Sequence, residues 1–153
     1  MQINDKDAGA YLKVVSGGGA RGLAGGTGDA TEAVGSIVDQ LANEGLRSGI
    51  IFVAGSATLA EDKVIALSVK IEHGAESDLS DAADFFTAVA FAAAATGGSG
   101  GSTEMFEEKV NVDLWGIKQY WRVSVTPDCD ATGTDVFQLG FGVAAIGESA
   151  PLT

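Results

Sequence analysis

Apolar and polar side chains alternate along several stretches of this chain, and the period is two. From Lys63 to His73, Ile65, Leu67, Val69 and Ile71 fall on one side, and Ser68, Lys70 and Glu72 on the other. Successive side chains of a strand point to opposite faces, so the pattern predicts a strand with one buried and one wet face. Phe106 to Leu114 repeats it, with Phe106, Val110, Val112 and Leu114 set against Glu107, Lys109, Asn111 and Asp113; Glu108 interrupts the apolar register. Trp121, Val123 and Val125 alternate with Tyr120, Arg122 and Ser124. Phe137, Leu139, Phe141, Val143 and Ala145 alternate with Gln138, Gly140, Gly142 and Ala144. Gly49 to Ala54 is an unbroken apolar run, which predicts a strand covered on both faces. Val34 to Gln40 is a further candidate strand.

Turn-forming residues separate these runs: Gly55-Ser56, Glu61-Asp62, Trp115-Gly116 and Thr126-Pro127-Asp128. Short strands at this spacing predict an all-β protein, an antiparallel β-sandwich of jelly-roll-like type. Residues 78–95 fit two periods. Asp78 or Ser80 suits the cap of a helix starting near Leu79, and Ala82, Ala83 and Phe86 have helical spacing. Phe85, Thr87, Val89, Phe91 and Ala93 alternate instead. The reading adopted is a turn of helix over 79–84 followed by a strand. Residues 16–30 and 96–103 are dense in glycine. The first stretch predicts a loose arm more than a packed element. The expected organisation is therefore a glycine-rich N-terminal arm over 1–30 and a β-sandwich domain over 31–153. No repeat recurs at a fixed period.

Composition narrows the function classes. The 153 residues are 46% apolar and 20% charged, which excludes a disordered chain. Acidic residues outnumber basic ones by 21 to 9, a formal net charge of -12. Such a field repels phosphate, so neither nucleic acid nor an anionic membrane is an expected partner. No apolar run is long enough to span a bilayer as a helix. The start, MQINDKDAG, lacks a basic segment followed by an apolar one, so no signal peptide is expected. One cysteine and one histidine leave little of the usual metal-binding and acid–base repertoire, and no cofactor is expected.

Four motifs invite chemistry. Gly17-Gly18-Gly19-Ala20-Arg21-Gly22 looks like the glycine-rich oxyanion loop of patatin-like lipases, whose backbone N–H groups stabilise a developing oxyanion. That family needs a serine in a G-x-S-x-G elbow after a strand. Ser56 follows an apolar run but lacks the glycines, and Gly97-Gly98-Ser99-Gly100-Gly101 sits in low-complexity sequence. The loop also lacks the G-K-[ST] ending of a phosphate loop. Asp128 to Asp135 resembles the first half of a calcium loop, yet Leu139 stands where a bidentate Glu belongs, so a polar hairpin turn is the expectation. Asp78, Asp81 and Asp84 would share one face of a helix. His73 at a strand end reads as a structural hydrogen-bonder, and Cys129, placed in a turn beside two aspartates, as unreactive. No nucleophile, base and stabiliser converge, so the chain is expected not to be an enzyme.

One further set of residues carries a resemblance. It comprises Ile37-Val38-Asp39, the apolar strand Gly49–Val53, Val69-Lys70-Ile71, the block Asp113-Leu114-Trp115-Gly116-Ile117-Lys118-Gln119-Tyr120-Trp121-Arg122-Val123-Ser124-Val125-Thr126, and Leu139–Val143. Residues 35 to 148 resemble small virion structural proteins of tailed bacteriophages, most like head decoration (cement) proteins, and the block 113–126 is the most specific part. The resemblance implies a β-sandwich, made in the host cytoplasm, that binds the major capsid protein at lattice junctions on the outer head surface and stabilises the shell. Lattice symmetry then favours a homotrimer, and a glycine-rich arm that orders on binding suits such docking. The expected contacts are Tyr11 and Leu12 in the arm, with Trp115 and Tyr120 as partner-facing aromatics, since aromatics enrich interface cores. Two alternatives stay open: another virion role (head completion, tail or fibre base), and a glycan-binding β-sandwich displayed on the particle.

Overall fold

The computed structural model describes residues 12–23, 31–43, 45–129 and 135–147. Every regular element among them is a strand: β1 (Leu12–Leu23), β2 (Ala33–Val34), β3 (Val38–Asp39), β4 (Leu46–Leu59), β5 (Val64–Gly74), β6 (Ala83–Thr96), β7 (Ser102–Asp113), β8 (Tyr120–Cys129) and β9 (Val136–Gly147). They form two antiparallel sheets. The first has the order β1-β9-β4-β7; the second has the order β2-β8-β5-β6, with β3 also paired to β8. The pairs are nested: β1 with β9, β2 and β3 with β8, β4 with β7, β5 with β6. One long hairpin rolled across two faces produces this nesting, and it is the wiring of a jelly roll.

The period-two patterns dictate which side is dry. Ile65, Leu67, Val69 and Ile71 of β5 are buried, as are Trp121, Val123 and Val125 of β8 and the odd-numbered set Phe137 to Ala145 of β9. Phe106, Val110, Val112 and Leu114 complete the core from the first sheet, and Glu108 keeps the inward register half-buried. Trp121 is fully buried, and its indole Nε1–H donates to Gln40 Oε1 at 3.1 Å. Gln40 is itself held by its Nε2 donating to the Leu46 carbonyl and its backbone N–H to that of Gln119. A buried indole without a partner would cost a desolvated donor, so this short loop serves the core.

Several expectations change here. The glycine run 16–23 is no arm: it lies within β1 and pairs with β9 from Leu12↔Ile146 to Leu23↔Val136. The rest of the expected arm, 1–11 and 24–30, lies outside the described residues. The glycines are required by packing. A Cβ at Gly18 would stand 2.6 Å from the Phe141 ring, and one at Gly22 would meet the Phe137 ring. Each ring lies across the neighbouring strand in the space a side chain would take. The helical turn over 79–84 is absent. Asp81 accepts the backbone N–H groups of Ala75 and Glu76, Asp78 accepts that of Ser80, and Leu79 is buried with a φ of 57°. Side-chain acceptors close enough to bind local N–H groups hold a turn in place of a helix. Asp84 sits in β6 opposite Glu72, so the three aspartates share no helix face. The candidate strand 34–40 is broken into β2 and β3. The second glycine stretch is the turn carrying the chain from β6 to β7, with Gly100 and Gly101 at φ of 78° and 85°.

The register makes sharp stability predictions. Leu67→Ala removes fully buried atoms and is expected to cost about 2–5 kcal/mol, or roughly 5–15 °C in Tm for a chain of this size. Met105→Ala, on the wet side, is expected to move Tm by about 2 °C or less. Thermal melting of the two variants checks the pair. Gly18→Val is expected to destabilise by about 1–3 kcal/mol because the Phe141 ring must leave its place; an unchanged melt would show that β1 does not lie against β9 as described.

Candidate functional site

The two outer faces of the sandwich differ in kind. On the second sheet, Lys70 Nζ lies 2.9 Å from Glu32 and 3.1 Å from Glu72, and Arg122 Nε lies 3.0 Å from Glu72. This chain crosses β5 and β8, whose Glu72 and Arg122 are directly paired. The hydrogen bond that Lys70 donates to Glu32 raises the Lys70 pKa, helped by Glu72 and opposed by partial burial. Partial burial pushes the Glu72 carboxyl up, but the contacts with Arg122 and Lys70 outweigh it and leave it below the usual range. The outward side of this sheet carries this neutralised chain beside Asp84, Asp128 and small or apolar positions such as Val34, Ala66 and Ala90.

The first sheet is different. Outward positions line up in rows across β1, β9, β4 and β7. One row is Leu12, Ile146, Ser48 and Asp113; the next is Val14, Ala144, Ile50 and Asn111. Then come Gly17, Gly142, Phe52 and Lys109, followed by Gly19, Gly140, Ala54 and Glu107. From Leu12 to Gly19 on β1, along β9, and from Ser48 to Thr58 on β4, no outward position carries a charge. Six of the ten exposed large apolar side chains of the described residues stand here: Leu12, Val14, Ile50, Phe52, Met105 and Ile146. Val14 is 76% and Met105 80% exposed. The tip of the Phe52 ring stands against Gly142, where a Cβ would come within 2.6 Å of it. The surface is uneven, with Val14 and Met105 standing out from it. Two shallow depressions open on it, one beside Phe52 and Lys109 and one floored by Ala54 and Gly140 next to Met105. A contiguous apolar area on a soluble-type fold marks a place where something binds.

This face departs from the expectation that Gly49–Ala54 is covered on both sides. Ile51 and Val53 are buried, while Ile50 and Phe52 are 43% and 44% exposed. The unbroken run therefore encodes two apolar faces, of which the chain itself covers one.

The residues expected to make contacts are spread around one end of the sandwich. Leu12 stands on the outward face just described, opposite Ile146. Trp115 is 69% exposed in the turn after β7, with the Arg47 guanidinium 4.2 Å above its ring. Tyr120 is half-buried at the start of β8, paired with Asp39 and Gly74, and its hydroxyl accepts from Gln119 Nε2 at 3.0 Å. Tyr11 lies outside the described residues. Leu12 and Trp115 are thus separated by the width of the first sheet, and Tyr120 belongs to the second. Missing from the expected set are Val14, Ile50, Phe52, Met105 and Ile146. The signal that finds Ile50 and Phe52 is an apolar run inside a strand whose neighbours alternate.

The candidate chemical motifs resolve into structure. Gly17–Gly22 is ladder backbone, so it forms no oxyanion loop. Cys129 ends β8 rather than sitting in a turn, and is buried opposite Ile65. Residues 130–134 of the calcium-like loop lie outside the described residues; Asp135 is buried and accepts the Ala60 N–H at 3.0 Å. Among the described residues no three His, Cys, Asp or Glu side chains cluster as metal ligands. The block 113–126 is also structural. Asp113 accepts the Trp115 N–H, Gly116 turns with φ of 81°, and Leu114, Trp121, Val123 and Val125 are core. Asp39, in the short motif before it, accepts the Leu41 and Ala42 N–H groups and so closes the 40–43 turn.

His73 Nδ1 accepts the Lys118 backbone N–H at 3.1 Å, and its ring packs 5.0 Å from that of Phe85. Partial burial, then the Lys118 charge, lowers its pKa against a smaller opposing pull from Asp81. An acceptor nitrogen must be unprotonated, so the folded state takes up this proton later than the unfolded one. Stability from this group is complete above the ordinary value of 6.5 and falls as pH drops from there toward the lowered folded value. His73→Gln is therefore expected to cost more Tm at about pH 7.5 than at about pH 5.5; an equal cost at both would show that protonation of His73 is not coupled to folding.

No protein-family model matches this chain, and no curated protein matches it. Among solved structures, it is similar to a chain in the structure of infectious bursal disease virus Gx strain, at a TM-score of 0.49 and 9% identity over 92% of this chain and 33% of that one. It is also similar to a chain in the cowpea mosaic virus empty virus-like particle, at a TM-score of 0.29 and 8% identity over 100% of this chain and 90% of that one. The chain spans about a third of the length of the first.

Proposed function

We propose that this protein is a structural component of a virus particle, a decoration protein that adheres to the outer surface of the head and stabilises the shell. The observation that supports the reading most is the largely apolar outer face of the first sheet, whose charges lie mainly along its β7 edge, built on a jelly roll, a fold that recurs in capsid and lectin domains. Fold alone does not assign a role. The chemistry of the surface adds to it. An apolar face exposed on an otherwise acidic protein is made to meet another protein, because burying it gives free energy that no small polar substrate would return. The resemblance of residues 35–148 to phage virion proteins points the same way. Its most specific block shapes turns and core, which is what a shared fold with a non-catalytic role requires.

The net charge of -12 suits a position outside the shell, away from packaged nucleic acid. The partner on this reading is the major capsid protein, and repeated weak contacts to a lattice add up when copies are linked in a symmetric assembly. Trp115 and Leu12, both exposed at the same end of the sandwich, are proposed to contribute at the rim.

A second reading has one observation in its favour. Trp115 presents a flat indole to solvent beside Arg47, an arrangement that stacks on sugar rings. A glycan-array experiment on the isolated protein tests it, and loss of a signal in Trp115→Ala would support it.

The decisive experiment for the main reading is to purify particles of the virus that encodes the chain and count it. Decoration predicts on the order of hundreds of copies per particle, set by the number of lattice points. About a dozen copies or fewer would assign it instead to a connector or tail, and absence from particles would contradict the reading.

A further inference from the structure

We infer that the outer face of the first sheet is a two-fold interface between two copies of this chain, with Phe52 near its centre and Lys109 and Glu107 along its β7 edge. A second copy is then what covers, in the free protein, the same face on which the proposed function rests; the mass measurement below bears on the pairing alone, and the count of copies in particles on the proposed role alone.

Size is the first consideration. Four strands about 4.8 Å apart and the four rows from Val14 to Met105, about 6.8 Å apart, give a planar footprint of roughly 520 Å². A stable interface takes about 800 Å² from each partner, so these rows supply the larger part of what a dimer needs. Flat sheet faces also pack on one another about 10 Å apart, as the two halves of a sandwich do.

Charge is the second. Each copy carries a net -12, so two copies can meet closely only where that charge is absent. Most of the β1–β9–β4 part of this face satisfies the condition: its outward positions over Leu12–Gly19, β9 and Ser48–Thr58 are uncharged, and the register places one cation, Arg21, opposite Gln138. A partner of opposite charge would instead be met by an acidic surface.

Pattern is the third. The two central rows are unlike and adjacent. One ends in Phe52 and Lys109, the other in Ala54 and Glu107. A two-fold axis running across the strands between these rows inverts their order. It lays Phe52 of one copy over Ala54 and Gly140 of the other, so that a ring meets a floor of small residues. The same operation brings Lys109 of each copy to Glu107 of the other, twice. A face that is complementary to itself in this way closes on a two-fold and leaves no open end. Pairing of this kind is an alternative to the homotrimer expected from lattice symmetry, and the mass of the assembly distinguishes the two.

The test is the mass of the purified full chain in solution, by light scattering and sedimentation across micromolar concentrations. A dimer is expected. Phe52→Asp, Lys109→Glu and Glu107→Lys are each expected to weaken it at least about tenfold, with thermal melting showing the domain still folded. The combined Lys109→Glu/Glu107→Lys protein exchanges the charges and is expected to recover most of the lost affinity. A monomer at all concentrations, a trimer, a dimer indifferent to Phe52→Asp, or failure of the charge exchange to restore pairing would each overturn the inference.

Discussion

The structure depends on one constraint: every strand of the roll must give its odd or even set of side chains to a single dry layer between two sheets. β9 meets it most completely, because it is paired on both edges, to β1 and to β4, and sends Phe137, Leu139, Phe141, Val143 and Ala145 inward. A slip of one residue along either edge would turn these five outward and bring glycines in. The rings at Phe137 and Phe141 explain the glycines opposite them on β1, and so tie the most unusual stretch of sequence to the layer.

Once the inner layer is satisfied, the outer faces are free to differ. The second sheet carries on its outward side a Glu32–Lys70–Glu72–Arg122 chain that neutralises itself. The first sheet keeps most outward positions of β1, β9 and β4 small or apolar, carries its charges mainly on β7, and sets the tip of the Phe52 ring against Gly142. Exposed ion pairs contribute little to stability, and an exposed apolar face contributes nothing until it is covered. The asymmetry is thus without benefit to the isolated fold and is explained by contact with another protein surface.

Much of this was legible in the sequence. Strict alternation on β5, β7, β8 and β9 predicts those strands and the buried side of each, since period two leaves no other assignment. Three features were not legible. The glycine run reads as loose chain because its partner rings lie more than a hundred residues away. The aspartates at 78 and 81 read as helix signals, because capping a turn and capping a helix use the same short acceptor. The run at 49–54 reads as doubly buried, because sequence does not say whether the second apolar face is covered by the same chain or by another. That last ambiguity is where the function lies, and it also explains why aromatics at Trp115 and Tyr120 drew attention ahead of Phe52 and Met105. The irregular burial of β6, where Phe86, Val89 and Phe91 face the dry layer at uneven spacing, follows from register shifts against β5 that no simple period encodes.

The central claim is that this protein acts through the outer face of its first sheet. Hydroxyl-radical footprinting of the protein at working concentration and at high dilution tests it most directly, because oxidation of individual side chains reports their cover. The account predicts that Phe52 and Met105 are shielded when the protein is concentrated and become reactive on dilution, while Trp115 changes less. Equal reactivity of Phe52 and Met105 in both conditions, with protection appearing on the Lys70–Arg122 side instead, would contradict it.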